Sequence, residues 1–267
     1  MIESLHSPHV ARVKALIGSR GVKERREAGL FVAEGLQAAR EALTSDGAPF
    51  IKNLYVTSAG LLKLSEFDLN EIDVYEVTDA VMNEMAATVT PQGILAICTI
   101  PRRQSSELAS LSSKSSLRII FLHEIQDPGN AGTILRTADA MGVDAVVTSP
   151  GSVDMYSPKV VRATAGSLWH VPVYESVEFA ELTHVLPNAI PLLLSSHAKK
   201  SIIDLPLDVP YISVFGNEAR GVSADSLGLA DSDITSVTIP MAGRAESLNL
   251  SAAASIVIFT LSNGLAG

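Results

Sequence analysis

The sequence contains a single cysteine, Cys98, which excludes an internal disulfide and any zinc cluster built from cysteines. Because Cys98 lies in an apolar run, 94–100, we expect a small buried side chain and not a nucleophile. Apolar runs such as 252–261 are too short and too interrupted to cross a bilayer. Residues 1–16 lack the apolar core of a secretory signal. These absences predict a cytoplasmic protein without a membrane-spanning segment.

Charged residues make up only 18% of the chain and hydrophobic residues 47%, a composition typical of a globular protein with a substantial core. The 267 residues suffice for two modest domains. The net charge of −9 is unevenly distributed. Residues 1–52 carry eight basic and six acidic side chains, a net charge of +2, so the other residues carry −11. The net charge therefore does not exclude an N-terminal region that binds nucleic acid, because nucleic-acid binding depends on where positive charge clusters.

A serine-rich stretch, 105–116, reads as a linker between a domain at 1–104 and a domain at 117–267. In the first domain the patterns predict helices at 8–17, 34–43 and 79–85 and strands at 51–56, 74–77 and 93–100. In the second they predict strands at 117–125, 144–148, 190–195, 211–215 and 235–239 and helices at 130–141, 157–167 and 247–262. Alternating helices and continuous apolar strands indicate an α/β fold with a parallel sheet covered on both faces.

Three polar, glycine-bearing loops follow predicted strands of the second domain, at 127–133, 215–221 and 239–251. Each one alone is explained by helix capping or by chain turns. Ligands of parallel sheets bind at the carboxyl ends of the strands, where such loops converge, so the three together predict a ligand site. No G-x-G-x-x-G fingerprint is present, which disfavours a Rossmann-type nucleotide site and an oxidoreductase.

The three loops resemble the three signature motifs of the SpoU/TrmH family of RNA ribose methyltransferases, within the SPOUT superfamily. The matching segments are Asn130-Ala131-Gly132 through Arg136-Thr137, Gly216-Asn217-Glu218 through Gly221, and Ile239-Pro240-Met241 through Ser247-Leu248-Asn249-Leu250-Ser251-Ala252. Upstream, residues 31–35 (FVAEG) and 90–93 (TPQG) look like the family's RNA substrate-binding domain, which is similar to ribosomal protein L30e. The resemblance covers almost the whole chain and is strongest in the C-terminal half.

The resemblance implies a SPOUT-type parallel sheet with a C-terminal trefoil knot and a small L30e-like α/β domain before it. It implies S-adenosylmethionine (SAM) as methyl donor and a homodimer with active sites near the interface. We expect no metal, because no side-chain metal cluster is visible in the sequence and methyl transfer from a sulfonium needs none. By carry-over, the expected cofactor-binding residues are Gly216, Asn217, Gly221, Ile239, Met241, Gly243 and Leu248. The expected catalytic residues are Arg136, Asn130, Glu218, Ser247 and Asn249.

Arg136 is the residue that the resemblance assigns to activation of the ribose hydroxyl. A guanidinium has a pKa above about 12 and is normally unable to act as a base. We therefore expect Arg136 to orient the target phosphate and hydroxyl, with proton loss assisted by that phosphate. For Glu218 a purely structural role is an equal alternative, and Ser247 and Asn249 have the alternative of being helix caps.

The expected substrate is RNA, and the L30e-like front end favours large-subunit rRNA over tRNA. The alternatives are a tRNA ribose methyltransferase and a catalytically silent RNA-binding protein of the same fold, against which Arg136, Asn130 and Asn249 speak. The candidate phosphate contacts are Lys14, Lys23, Arg25, Arg26, Arg102 and Arg103, each with the alternative of a solvated charged surface.

Overall fold

The computed structural model describes residues 1–44, 51–195, 197–245 and 247–262. The chain forms two compact units. The first unit comprises Met1–Arg102 and Asp154–His170, and the second comprises Arg103–Val153 and Val171–Gly267. The chain therefore passes from one unit to the other three times. No described helix has the length and apolarity needed to cross a membrane.

The first unit is built on a mixed four-stranded sheet with the strand order β1-β4-β2-β3. Its strands are β1 (Leu30–Glu34), β2 (Ile51–Val56), β3 (Asp73–Glu76) and β4 (Ile94–Thr99). Strand β4 runs antiparallel to both β1 and β2, whereas β2 and β3 run parallel. Cys98 lies fully buried in β4, which confirms the expectation of a small buried side chain, and burial raises the pKa of its thiol to about 12.

Helices cover both faces of this sheet. They are α1 (Pro8–Ile17), α2 (Gly21–Ala28), α3 (Leu36–Thr44), α4 (Ser58–Leu62), α5 (Asp79–Met85) and α7 (Pro158–Ala163). Helix α1 begins at Ser7, whose hydroxyl accepts the N–H of Val10, and Pro8 occupies its first turn. Apolar side chains of α1 and α5 pack with Val32 and Tyr55 of the sheet in one core cluster.

Residues 154–170 belong to the first unit although they follow β6 in sequence, and their aromatic side chains explain why. The ring of Phe31 in β1 lies 5.1 Å from that of Tyr156 and 6.0 Å from that of Trp169. Because neighbouring residues of a strand point to opposite faces, Phe31 and Val32 pack on different sides of the sheet. The segment 154–170 therefore supplies apolar cover for the face that α1 leaves open.

A buried ion pair fixes the same segment to α2. The Nε and Nη2 atoms of Arg25 donate to Oδ2 of Asp154 at 2.8 and 2.6 Å, and Nη1 donates to the carbonyl of Leu16. The two side chains are only 4% and 8% exposed. Arg25 therefore has a structural role, and its burial argues against the prediction that it contacts RNA.

The second unit contains a six-stranded, wholly parallel sheet with the order β10-β8-β9-β5-β6-β7. Its strands are β5 (Arg118–Leu122), β6 (Ala145–Thr148), β7 (Val173–Tyr174), β8 (Ile190–Leu194), β9 (Tyr211–Phe215) and β10 (Thr235–Val237). Its helices are α6 (Pro128–Ala140), α8 (Phe179–Val185) and α9 (Leu250–Ser262). The α/β class and the parallel sheet predicted from sequence are confirmed, and the trefoil knot stays a prediction.

The predicted linker at 105–116 is corrected by the structure. Ser105–Leu111 forms a 3₁₀ segment, and Leu108 is fully buried in the core of the second unit beside β5 and α8. The serine-rich composition masked two inward-facing leucines, Leu108 and Leu111. The predicted domain 117–267 also differs from the second unit, because 154–170 packs elsewhere.

Candidate functional site

A pocket of about 730 Å³ opens in the second unit beyond the carboxyl ends of β8, β9 and β10. After β5 the chain continues toward β6 and β7, whereas after β9 it continues toward the opposite edge of the sheet. A crevice at such a reversal of strand order is where parallel sheets bind ligands. The pocket volume falls within the range of about 300–1,000 Å³ that is typical of small-molecule sites.

The loop after β9 closes tightly on itself. The N–H of Gly221 donates to the carbonyl of Asn217 at 2.7 Å. The Asn217 amide oxygen accepts the N–H groups of Ala219 and Arg220, and its amide nitrogen donates to the carbonyl of Glu124 at 3.0 Å. A Cβ at Gly216 would stand 2.5 Å from the backbone of Gly221, so only glycine fits there. Because Gly216 and Gly221 have no side chains, their backbone atoms line the pocket directly.

Glu218 ties this loop to the start of α6. Its carboxylate accepts the N–H groups of Gln126 at 3.2 Å and Asp127 at 3.1 Å, and the side-chain amide of Asn130 at 3.2 Å. Burial raises the pKa of Glu218, but these hydrogen bonds and one from its own backbone lower it below the ordinary value. The carboxylate therefore stays ionised while it holds two of the three predicted motif loops together.

Asn249 connects the third loop to the other two. Its amide nitrogen donates to Oδ1 of Asn130 at 3.3 Å. Its Oδ1 accepts the N–H groups of Ser251 at 2.9 Å and Ala252 at 3.3 Å, so the same side chain caps α9. Glu218, Asn130 and Asn249 thus form one hydrogen-bonded chain across the three motifs. Asn249 serves both as the cap and as part of the site.

The structure brings ten of the twelve predicted catalytic and cofactor residues to this pocket. Those that line it are Asn130, Gly216, Asn217, Glu218, Gly221, Ile239, Met241, Ser247, Leu248 and Asn249. Gly243 and Arg136 are not among the lining residues. Sequence analysis missed Leu194, Ser195 and Thr238, which also line the pocket. Leu194 ends β8 and Thr238 follows β10, so only the position of the strand ends marks them.

Arg136 lies on the exposed side of α6, as do Thr133 and Ala140. It follows Asn130 by six residues, which places it about 9 Å further along the helix and on a different side. Among the described residues no hydrogen bond or ion pair to its side chain is present. Its guanidinium therefore faces solvent in the single chain, on the helix that packs against α9.

The predicted RNA contacts fall into two groups. Lys14 pairs with Glu84, and the Arg103 guanidinium lies 5.9 Å from the ring centre of Tyr174. With the buried Arg25, these three have partners within the protein. The other three, Lys23, Arg26 and Arg102, are exposed, and Lys23 forms a solvent-exposed pair with Glu27 at 3.7 Å.

Comparison with known protein families gives two matches. Residues 117–259 match the SpoU rRNA Methylase family. Residues 8–96 match the MRM3-like substrate binding domain. The first match alone spans more than half of the chain and includes all three loops of the pocket.

Individual relatives match along most of their length. The 23S rRNA (guanosine(2553)-2′-O)-methyltransferase RlmP of Bacillus subtilis is 30% identical, with 90% of this chain and 91% of the relative covered. The 23S rRNA (uridine(2479)-2′-O)-methyltransferase of Streptomyces viridochromogenes is 27% identical over 92% of this chain and 86% of its own. The crystal structure of an AdoMet-bound rRNA methyltransferase from Sinorhizobium meliloti superposes with a TM-score of 0.83 at 26% identity, covering 100% of this chain and 98% of that one.

Proposed function

This chain belongs to the SpoU rRNA methylase family, and from that premise we propose that it transfers a methyl group from SAM to a ribose 2′-hydroxyl of large-subunit ribosomal RNA. The two bacterial relatives described above act on 23S rRNA, which supports this substrate. Since the two relatives described above are bacterial, we also propose a cytoplasmic location.

The observation that carries the proposal is the hydrogen-bonded chain from Glu218 through Asn130 to Asn249 beside a pocket lined by glycine backbone. SAM supplies an electrophilic methyl group on a sulfonium. Gly216, Ile239 and Leu248 would hold its adenosyl part, since the closed 216–221 loop offers backbone groups at close range. The apolar lining from Leu194, Val214 and Met241 suits an adenine ring.

The protein's contribution to the reaction is positioning. Holding two reactants in attack geometry can lower a barrier by about 7–11 kcal/mol. Asn130 and Asn249 fix the pocket loops through their mutual hydrogen bond, and Ser247 lines the same pocket. Arg136 would orient the RNA phosphate next to the target ribose through its two-pronged guanidinium, so that the phosphate accepts the hydroxyl proton.

A homodimer through α6 and α9 would complete the site. Helix α9 exposes Ile256 and Phe259, with 39% and 53% of their surface in solvent, next to α6, which carries Arg136. Apolar side chains at spacing i and i+3 on one helix face are typical of an interface. Pairing on this face would remove Phe259 from water and bring Arg136 of each chain to the interface.

Methylation of separated RNAs tests the proposed function. The protein is incubated with radiolabelled SAM and either rRNA or tRNA, and the modified nucleotide is mapped. We expect label at a single ribose of 23S rRNA. Arg136→Ala should bind SAM normally in calorimetry but lose transfer by a factor of about 100 or more, the scale of losing one catalytic group. Label in tRNA alone, or none in any RNA, would contradict the proposal.

Sedimentation tests the proposed dimer. Phe259→Glu places a charge on the exposed face of α9 and should convert a dimer into a monomer with unchanged secondary structure. Val89→Glu is the matched control, because Val89 is 98% exposed on a loop of the first unit. A parent protein that sediments as a monomer at micromolar concentration would refute the dimer.

A further inference from the structure

Helix α2 of the first unit carries a row of cations. Arg20, Lys23 and Arg26 follow one another at intervals of three residues and are all exposed. Residues three apart are neighbours on a helix surface. The distance from Arg20 to Arg26, measured along the helix axis, is about 9 Å. With Val22, which is 43% exposed, and Glu27, these side chains line a shallow concave surface.

The buried Arg25 determines which side of α2 faces solvent. Its guanidinium is held by Asp154 and by the carbonyl of Leu16, so the Arg25 side of the helix faces the protein interior. At 100° per residue, Lys23 then points almost directly away from Arg25, and Arg20 lies close to it. Arg25 thus anchors α2 to the protein, and Arg20, Lys23 and Arg26 face solvent.

The row is extended by Arg102 at the end of α2. The N–H of Ile100 donates to the carbonyl of Gly29, which ends the helix, and Nη2 of Arg102 lies 4.0 Å from the position of a Cβ at Gly29. Within the described ranges, the side chains of Arg20, Arg26 and Arg102 make no ion pair or hydrogen bond. Four cations therefore form one line on a chain whose net charge is −9.

We propose that Arg20, Lys23, Arg26 and Arg102 form a phosphate-binding ridge that holds the backbone of the RNA substrate, independently of base sequence. The inference rests on the proposed function, because that function makes RNA the polyanion that is present. The three cations of α2 extend over about 9 Å along one exposed helix side, so they can contact neighbouring phosphates of a single RNA strand. Val22 offers apolar contact for a sugar between them.

Binding of a fluorescent 23S rRNA fragment, measured by anisotropy at several salt concentrations, tests the ridge. Each lost phosphate contact removes about 0.7–0.9 from the slope of log affinity against log salt, which is about five- to eightfold in affinity at 0.1 M salt. Arg20→Gln with Arg26→Gln should therefore weaken binding about 30-fold and equally for an unrelated RNA of the same length. SAM affinity should stay at the parent value.

Lys52→Gln is the control, because Lys52 is an exposed cation of the same unit that lies among Asp68, Glu71 and Asp73. It should leave RNA affinity and salt slope unchanged. Equal affinity of the double variant and the parent, in a protein that methylates rRNA, would overturn the ridge and leave the proposed function intact. A parent protein that methylates no RNA would instead overturn the proposed function. In that case the RNA affinities of the parent and the double variant would still test whether the ridge binds phosphate.

Discussion

Replacing Asp154 by asparagine should strongly destabilise the protein without touching the proposed active site. The substitution keeps the size of the side chain but leaves the Arg25 guanidinium, whose side chain is 4% exposed, without a counter-charge. Removing one partner of a buried pair costs about 3–5 kcal/mol. For a protein of this size, 1 kcal/mol shifts the melting temperature by roughly 2–4 °C. We therefore expect a fall of about 6–20 °C.

Thermal unfolding followed by circular dichroism at pH 7 measures this effect. The matched control is Glu27→Gln, which breaks the pair of Glu27 with Lys23 on the same helix. That pair is solvent-exposed and contributes about 0.3–0.5 kcal/mol, so the control should melt within about 2 °C of the parent.

A second variant separates the charge effect from packing. Arg25→Met combined with Asp154→Leu removes both charges, and such replacements of a buried pair are often neutral. This double variant should have a higher melting temperature than Asp154→Asn. A melting temperature of Asp154→Asn within about 2 °C of the parent would refute the buried pair as a source of stability.

Three further outcomes are expected. Glu218→Gln should weaken SAM binding in calorimetry about tenfold, because an amide cannot accept the same set of N–H donors as the carboxylate, and an unchanged Kd would contradict this role. Because the folded pKa of Glu218 is lowered, its hydrogen bonds stabilise the site fully above the ordinary glutamate pKa of about 4.3 and are lost as the pH falls through the lower folded value. The acid limb of SAM affinity should therefore lie below about pH 4.3 in the parent and be smaller in Glu218→Gln, which calorimetry across that range would check. Arg118→Met should lower the melting temperature by about 6 °C or more, because the buried Arg118 guanidinium donates hydrogen bonds to four backbone carbonyls, those of Leu117, Leu207, Val209 and Leu261. A shift of less than about 2 °C would show that these hydrogen bonds do not stabilise the fold.

Elements whose signals are local were predicted well from the sequence. Helix α1 and strand β9 have the predicted bounds, because Ser7 and Pro8 mark the helix start and an unbroken apolar run marks the strand. Helix α2 was missed, since its inward-facing residue is Arg25 and a charged residue gives no apolar periodicity. Asp154, which is distant in sequence, and the carbonyl of Leu16 accept the hydrogen bonds of Arg25 and so make a charged side chain tolerable inside the protein.

The candidate site follows a similar division. The three motif loops could be predicted because glycines and polar residues follow strands of a parallel sheet, where ligand sites form. Leu194 and Thr238 could not, because both fall within the strands predicted at 190–195 and 235–239, where the sequence does not distinguish a pocket wall from the rest of a strand. The displacement of Arg136 from Asn130 follows from their spacing of six residues on a helix, which the motif resemblance alone does not take into account.

The three passages of the chain between its units constrain any attempt to exchange the first unit, the proposed RNA-binding part, between relatives. A fragment ending at residue 102 would lack Tyr156 and Trp169, leaving Phe31 exposed to water. The remaining fragment would carry Tyr156 and Trp169 without the four-stranded sheet on which they pack. A chimaera that is meant to change RNA specificity must therefore transplant 154–170 together with 1–102, and a recombination point placed at the apparent boundary alone would yield two incomplete halves.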